Sequence, residues 1–155
     1  MGSESYSLDT INTIIQIFEE RVPFNNVIGM KFGVKGKDEG VVSFSMKDEL
    51  VGNMMFSSLH GGVLATVIDA VGGFTTYLGL IDRNKSLTEM EKLERFSKIG
   101  TIDLRVDYIR PGKGKNFAAS AVLLRTGKKI AVTRMEVRNE ASLLIAAGIG
   151  TYIVG

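Results

Sequence analysis

There is no cysteine in this sequence, which excludes disulfides, thiol nucleophiles and the common structural zinc sites. A cysteine-free chain fits a cytoplasmic protein. Residues 1–30 lack the basic start and apolar block of a secretory signal. No uninterrupted apolar run reaches the roughly 18 residues of a spanning helix, so no membrane span is expected. No Gly-x-Ser-x-Gly elbow occurs, so Ser57 and Ser58 beside the histidine do not make a serine hydrolase. Basic residues are not interleaved with aromatics, and nucleic acid is not expected as a partner. Repeats, linkers and low-complexity tracts are absent, and 155 residues fit one domain.

The net charge is only +2, but its distribution is uneven. Residues 101–155 carry nine Lys and Arg against four Asp and Glu, whereas residues 1–100 carry ten against thirteen. A basic C-terminal third suits an anionic membrane or a phosphate-bearing small molecule.

The only histidine, His60, opens the most informative stretch, His60-Gly61-Gly62, and Asp69 follows nine residues later. Read as a helix, Val63, Leu64, Val67, Ile68, Val71, Phe74 and Leu78 coat most of the circumference, as in a buried helix. A carboxylate inside such a helix is costly without a partner; it reads either as functional or as structurally paired. The two glycines admit close approach to backbone N–H groups that a helix start leaves unpaired and that favour negative charge. Gly61 and Asp69 are roughly 12 Å apart at about 1.5 Å rise per residue. One reacting carbonyl cannot sit about 3 Å from both. If both act together, the site is shared across a homodimer.

Upstream, Asp9 caps a predicted helix from Thr10 to Arg21, which Pro23 ends, and Phe24–Met30 is a connector. Residues 1–7 are small and polar, the pattern of a disordered start. Strand signals cover Met30–Val34 and Gly40–Met46, with a turn over 35–40. Asp48–Ser58 reads as an irregular loop and Ile81–Ile99 as a second helical piece, with a capping box at Ser86-Leu87-Thr88-Glu89. Its stripe of Met90, Leu93 and Phe96 is either ordinary packing or a lid over a substrate. From Thr101 strict alternation predicts a strand to Tyr108, followed by strands over 117–124, 130–137 and 143–153. The result is an α+β domain in which a curved antiparallel sheet wraps the apolar helix.

Three blocks carry a family resemblance: His60-Gly61-Gly62 with Asp69; Thr101 to Gly112; and Ile145 to Tyr152. Over Phe24–Gly155 the sequence resembles hotdog-fold acyl-CoA thioesterases of the phenylacetate-pathway type. Gly52-Asn53 and the helical insertion at 81–99 resemble a bacterial branch acting on medium- and long-chain acyl-CoA. The resemblance implies a sheet of five to six strands around the central helix, an N-terminal helix, and a homodimer or dimer of dimers with shared sites. It implies acyl-CoA as substrate, with no cofactor beyond the substrate's own CoA and no metal. By this analogy Asp69 is general base or nucleophile and the Gly61 N–H of the partner subunit polarises the carbonyl, with His60 counted in the catalytic set and Gly62 among the substrate-binding residues. Asn53 positions water or the acyl group, and Thr101 hydrogen-bonds near Asp69. The turns holding Arg110, Gly112, Lys113 and Lys115, and Arg125, Gly127, Lys128 and Lys129, face the CoA phosphates. Asn53 departs from many relatives by standing seven residues before the histidine instead of six. Two rivals remain: a hotdog (de)hydratase using His60 as base, and a non-catalytic acyl-CoA binder.

Overall fold

The computed structural model describes residues 8–36, 39–84 and 86–155. Residues 1–7, with their expected disorder, Lys37 and Asp38 of the expected turn, and Lys85 lie outside the described residues. In chain order come α1 (Leu8–Gln16), α2 (Pro23–Ile28), β1 (Lys31–Lys35), β2 (Glu39–Ser45), β3 (Val51–Asn53), β4 (Ser58–Leu59) and α3 (Gly61–Arg83). Then follow α4 (Glu89–Ser97), β5 (Gly100–Tyr108), β6 (Asn116–Thr126), β7 (Ile130–Asn139) and β8 (Leu144–Ile153). Six strands pair antiparallel in the order β1-β2-β6-β7-β8-β5, and α3 packs along the sheet's concave side against five of them. This is the α+β hotdog arrangement.

The apolar residues of α3 explain its place. Val67, Ile68, Val71, Phe74, Tyr77 and Leu78 are fully buried, each contributing about 1.5–3 kcal/mol of transfer free energy. Phe74 and Tyr77 join Phe18, Phe32 and Phe96 in one aromatic cluster, with edge-on contacts at 5.1–5.4 Å between ring centroids. By length and composition, α3 does qualify as a membrane-crossing helix among the described residues, but two-thirds of that stretch is buried inside the protein. Counting uninterrupted runs overlooks this because the single charge of Asp69 breaks the run while hardly lowering the average.

Local differences from the sequence expectations have identifiable causes. The helix does end at Arg21, but its last turn, Ile17–Arg21, is π-helical, and the expected connector is α2. Pro23 opens that helix, since a first-turn residue needs no N–H. The buried Asn25 amide donates to the Phe18 carbonyl at 2.9 Å, satisfying a group in the widened turn. Asp9 lies inside the first turn of α1. The capping box is Thr88 with Glu91, so the second helical piece starts later than expected. The loop before His60 is a short hairpin of β3 and β4.

The alternation of β5 is broken near its start. Thr101 pairs with Tyr152 but Asp103 pairs with Thr151, leaving Ile102 as an extra residue. A bulge of this kind re-aims side chains: Ile102 turns outward, and Thr101, which strict alternation puts on the outer face, turns toward α3.

Candidate active site

One stripe of α3 is left uncovered by the described residues. Gly62, Thr66, Asp69, Ala70 and Gly73 recur at helical spacing and are exposed or half-buried, between the edge strand β5 and the N-terminal helices. Asp69 is therefore half-buried, not enclosed as the apolar pattern suggests, because the described residues supply no cover on that side. It lines a chamber of about 500 Å³ with Phe18, Val22, Phe24, Phe96 and Ile99, and is its only charged lining residue among the described residues.

Two hydroxyls hold the carboxylate. Thr101 Oγ1 donates to Asp69 Oδ1 at 2.8 Å, and Tyr152 Oη donates to the same oxygen at 3.3 Å. Among the described residues Oδ2 has no hydrogen-bond partner. Burial, then the adjacent Asp69 charge, pushes the Tyr152 phenol far above its usual range, so it stays a protonated donor. Gly72 makes this approach possible, because a Cβ there would lie 2.1 Å from Tyr152 Oη. Sequence reasoning missed Tyr152 as a site residue. It closes the third resemblance block, and that position was the available signal.

At the start of α3 the two glycine N–H groups differ. His60 is the N-cap, and its Nδ1 accepts from the Gly62 N–H at 2.8 Å. The Gly61 N–H has no acceptor among the described residues. Tyr108 Oη donates to the Gly61 carbonyl at 3.2 Å and fixes the turn against β5. Because Nδ1 accepts, the proton of neutral His60 is on Nε2, and its basic nitrogen is already engaged. Gly52 packs flush on this turn, where a Cβ would lie 2.4 Å from His60 Cα. Asn53 follows it on the exposed hairpin, its Oδ1 accepting from the Met55 N–H at 3.1 Å.

His60→Ala is thus expected to cost about 1 kcal/mol of stability as a lost cap, which thermal melts measure.

The two basic turns are not brought together in one chain. They flank opposite ends of β6, roughly 33 Å apart at about 3.3 Å per residue. The first is beside Gly61: Arg110 and Gly112 line a hollow of about 280 Å³ with Gly61 and Tyr108. Glu140 holds its far side by accepting from the Lys115 and Asn116 N–H groups at 2.9 and 3.2 Å. Lys113 lies over the Phe56 ring at 5.1 Å, and Lys115 is exposed. The second turn is at the far end of α3. Arg125, Lys128 and Lys129 are exposed, Gly127 donates to the Ile130 carbonyl at 2.7 Å, and Arg83 of α3 reaches the Thr126 carbonyl at 2.6 Å.

The expected stripe of α4 is split. Phe96 joins the aromatic cluster and lines the Asp69 chamber, Leu93 lines a separate groove against α1, and Met90 is exposed.

Comparison with known proteins gives consistent results. The family described as Thioesterase superfamily matches residues 56–146. The medium/long-chain acyl-CoA thioesterase YigI of Escherichia coli is 41% identical over 140 residues, 90% of each chain. Human acyl-coenzyme A thioesterase 13 is 27% identical over 148 residues, 94% of this chain and 95% of that one. A crystal structure from Shewanella oneidensis, related to the thioesterase superfamily, is 41% identical, covering 95% of this chain and 96% of that one, with a TM-score of 0.90.

Proposed function

The chain belongs to the thioesterase superfamily, and from that premise we propose that it hydrolyses medium- to long-chain acyl-CoA to free acid and CoA. The observation that carries the reading is the unpaired Oδ2 of Asp69 in a chamber otherwise lined by uncharged, largely apolar groups. Acting as base, Oδ2 takes a proton from water. The water oxygen bonds to the thioester carbon, and the carbonyl π electrons move to its oxygen. The Gly61 N–H meets that oxyanion. When the pair returns, the C–S bond breaks and CoA leaves as thiolate, which is protonated to the thiol. Acting as nucleophile, the same oxygen attacks the carbon directly and the C–S bond breaks to expel CoA thiolate. Water then hydrolyses the acyl-aspartyl anhydride to the free acid and the Asp69 carboxyl, whose proton passes to the thiolate.

The architecture favours sharing between two subunits. β5 is an edge strand, and Ile102 and Ile109 are exposed on or beside it. Two copies paired antiparallel through β5 about a two-fold axis near its middle would set the Thr101 end of one strand beside the Tyr108 end of the other. Thr101 is bonded to Asp69 and Tyr108 to Gly61. Such a pairing would carry Asp69 toward the partner subunit's Gly61 and the turn that follows β5, residues 110–115. This turn is the better placed of the two for the CoA phosphates. The (de)hydratase reading is disfavoured because the accepting nitrogen of His60 is occupied by Gly62.

The acyl chain enters the chamber between the N-terminal helices and α4. Release of CoA, followed with a thiol reagent over a series of acyl-CoA substrates, tests the reading; no thiol from any of them would end it. In the same assay Phe96→Ala is expected to raise the palmitoyl-to-octanoyl ratio of kcat/KM by about tenfold, within the range that a few methylenes command in an apolar pocket. The ratio is independent of the folded fraction, so any loss of stability does not obscure it.

A further inference from the structure

The mechanism above leaves one buried phenol unexplained. Tyr152 is essentially inaccessible, and a glycine at position 72 is what admits its hydroxyl to the helix. Its Oη lies 3.3 Å from Asp69 Oδ1 and 3.2 Å from the Asp69 carbonyl oxygen. Behind it, Thr133 of β7 is buried against the same face of Gly72, and its hydroxyl donates to Met135 Sδ at 3.0 Å. A tyrosine needed only for packing requires no such set of partners.

We propose that Tyr152 is a positioning residue for catalysis: together with Thr101 it engages Oδ1 of Asp69 from two strands and thereby assigns the chemical step to Oδ2. The inference rests on the thioesterase reading and goes beyond it by naming which oxygen reacts and what holds the other. A carboxylate with a single donor can rotate and exchange its oxygens. One gripped by donors from β5 and β8 keeps a fixed orientation, and Thr133, buried beside the phenol, backs it from β7. All three hydroxyls lie on the sheet, so the rigid part of the fold sets the aim of a side chain carried by the helix.

The test is a double-mutant cycle on CoA release by the full-length protein. Tyr152→Phe keeps the ring and removes the hydroxyl. It is expected to lower kcat about tenfold, as for a lost hydrogen bond to a charged group, with KM for the acyl-CoA changed less than about twofold. In an Asp69→Asn background the same change is expected to cost less than about twofold, because a residue acting through Asp69 has nothing left to act on. A full tenfold loss in that background would assign the tyrosine a structural role and overturn the proposal. So would an active wild type whose kcat Tyr152→Phe leaves unaltered. A wild type that releases no CoA overturns the hydrolase reading and this inference with it. If Tyr152→Phe fails to fold, Thr133→Val probes the same grip from behind: a fall in kcat at constant KM supports it, and unchanged kcat overturns it.

Discussion

Gly61→Pro is expected to lower kcat by about 10²–10³ while leaving α3 intact, the usual loss for one oxyanion donor. Gly61 is the first residue of the helix after the His60 cap. Proline is favoured there, since its fixed φ suits the helix and its missing N–H is one that the helix does not use. His60, at φ −62° and ψ 137°, already has the extended conformation that a following proline demands. The substitution therefore removes the one N–H that the turn leaves free and little else. Gly61→Ala is the matched control. It keeps the N–H and adds a Cβ 3.3 Å from the Tyr108 ring, which that exposed side chain can accommodate by a small shift. Steady-state CoA release with circular dichroism of both variants checks the result. Equal activity in both would remove Gly61 from the chemistry.

Asp69→Asn should lower kcat by about 10²–10⁴, the span of general-base contributions. The amide oxygen can still accept from Thr101 and Tyr152, so the side chain keeps its place, and an amide nitrogen that cannot take a proton replaces Oδ2. A retained melting temperature with lost turnover is the expected signature. Combining this variant with Gly61→Pro tests sharing. Each mixed dimer would hold one site with both groups intact and one with neither. Random exchange between equal amounts of the two variants then returns about a quarter of the wild-type rate in a two-fold dimer. No recovery after verified exchange would place Gly61 and Asp69 of one subunit in separate, unshared roles.

The periodic features are legible in the sequence. The apolar circumference of α3, the alternation of the later strands and the His60-Gly61-Gly62 start are short-range patterns, and they recover the order of the main elements. Windows of this length misjudge Pro23, which they treat as a terminator although it also initiates a helix. They also misplace the capping box, where two overlapping Ser/Thr and Glu pairs compete and the box forms between Thr88 and Glu91.

By itself the sequence determined that a single histidine, a glycine pair and one carboxylate would share an apolar helix, and that thiol and serine-elbow chemistry were excluded. Only the tertiary structure decided which glycine N–H is free, because His60 folds back onto Gly62. It also aimed Thr101 at Asp69 through a bulge that strict alternation conceals, separated the two basic turns to opposite ends of β6, and brought Tyr152 to a carboxylate 83 residues away. Periodicity records which face of an element is apolar. It carries no information on which residues of distant strands meet on that face, because sheet pairing and helix packing settle that together.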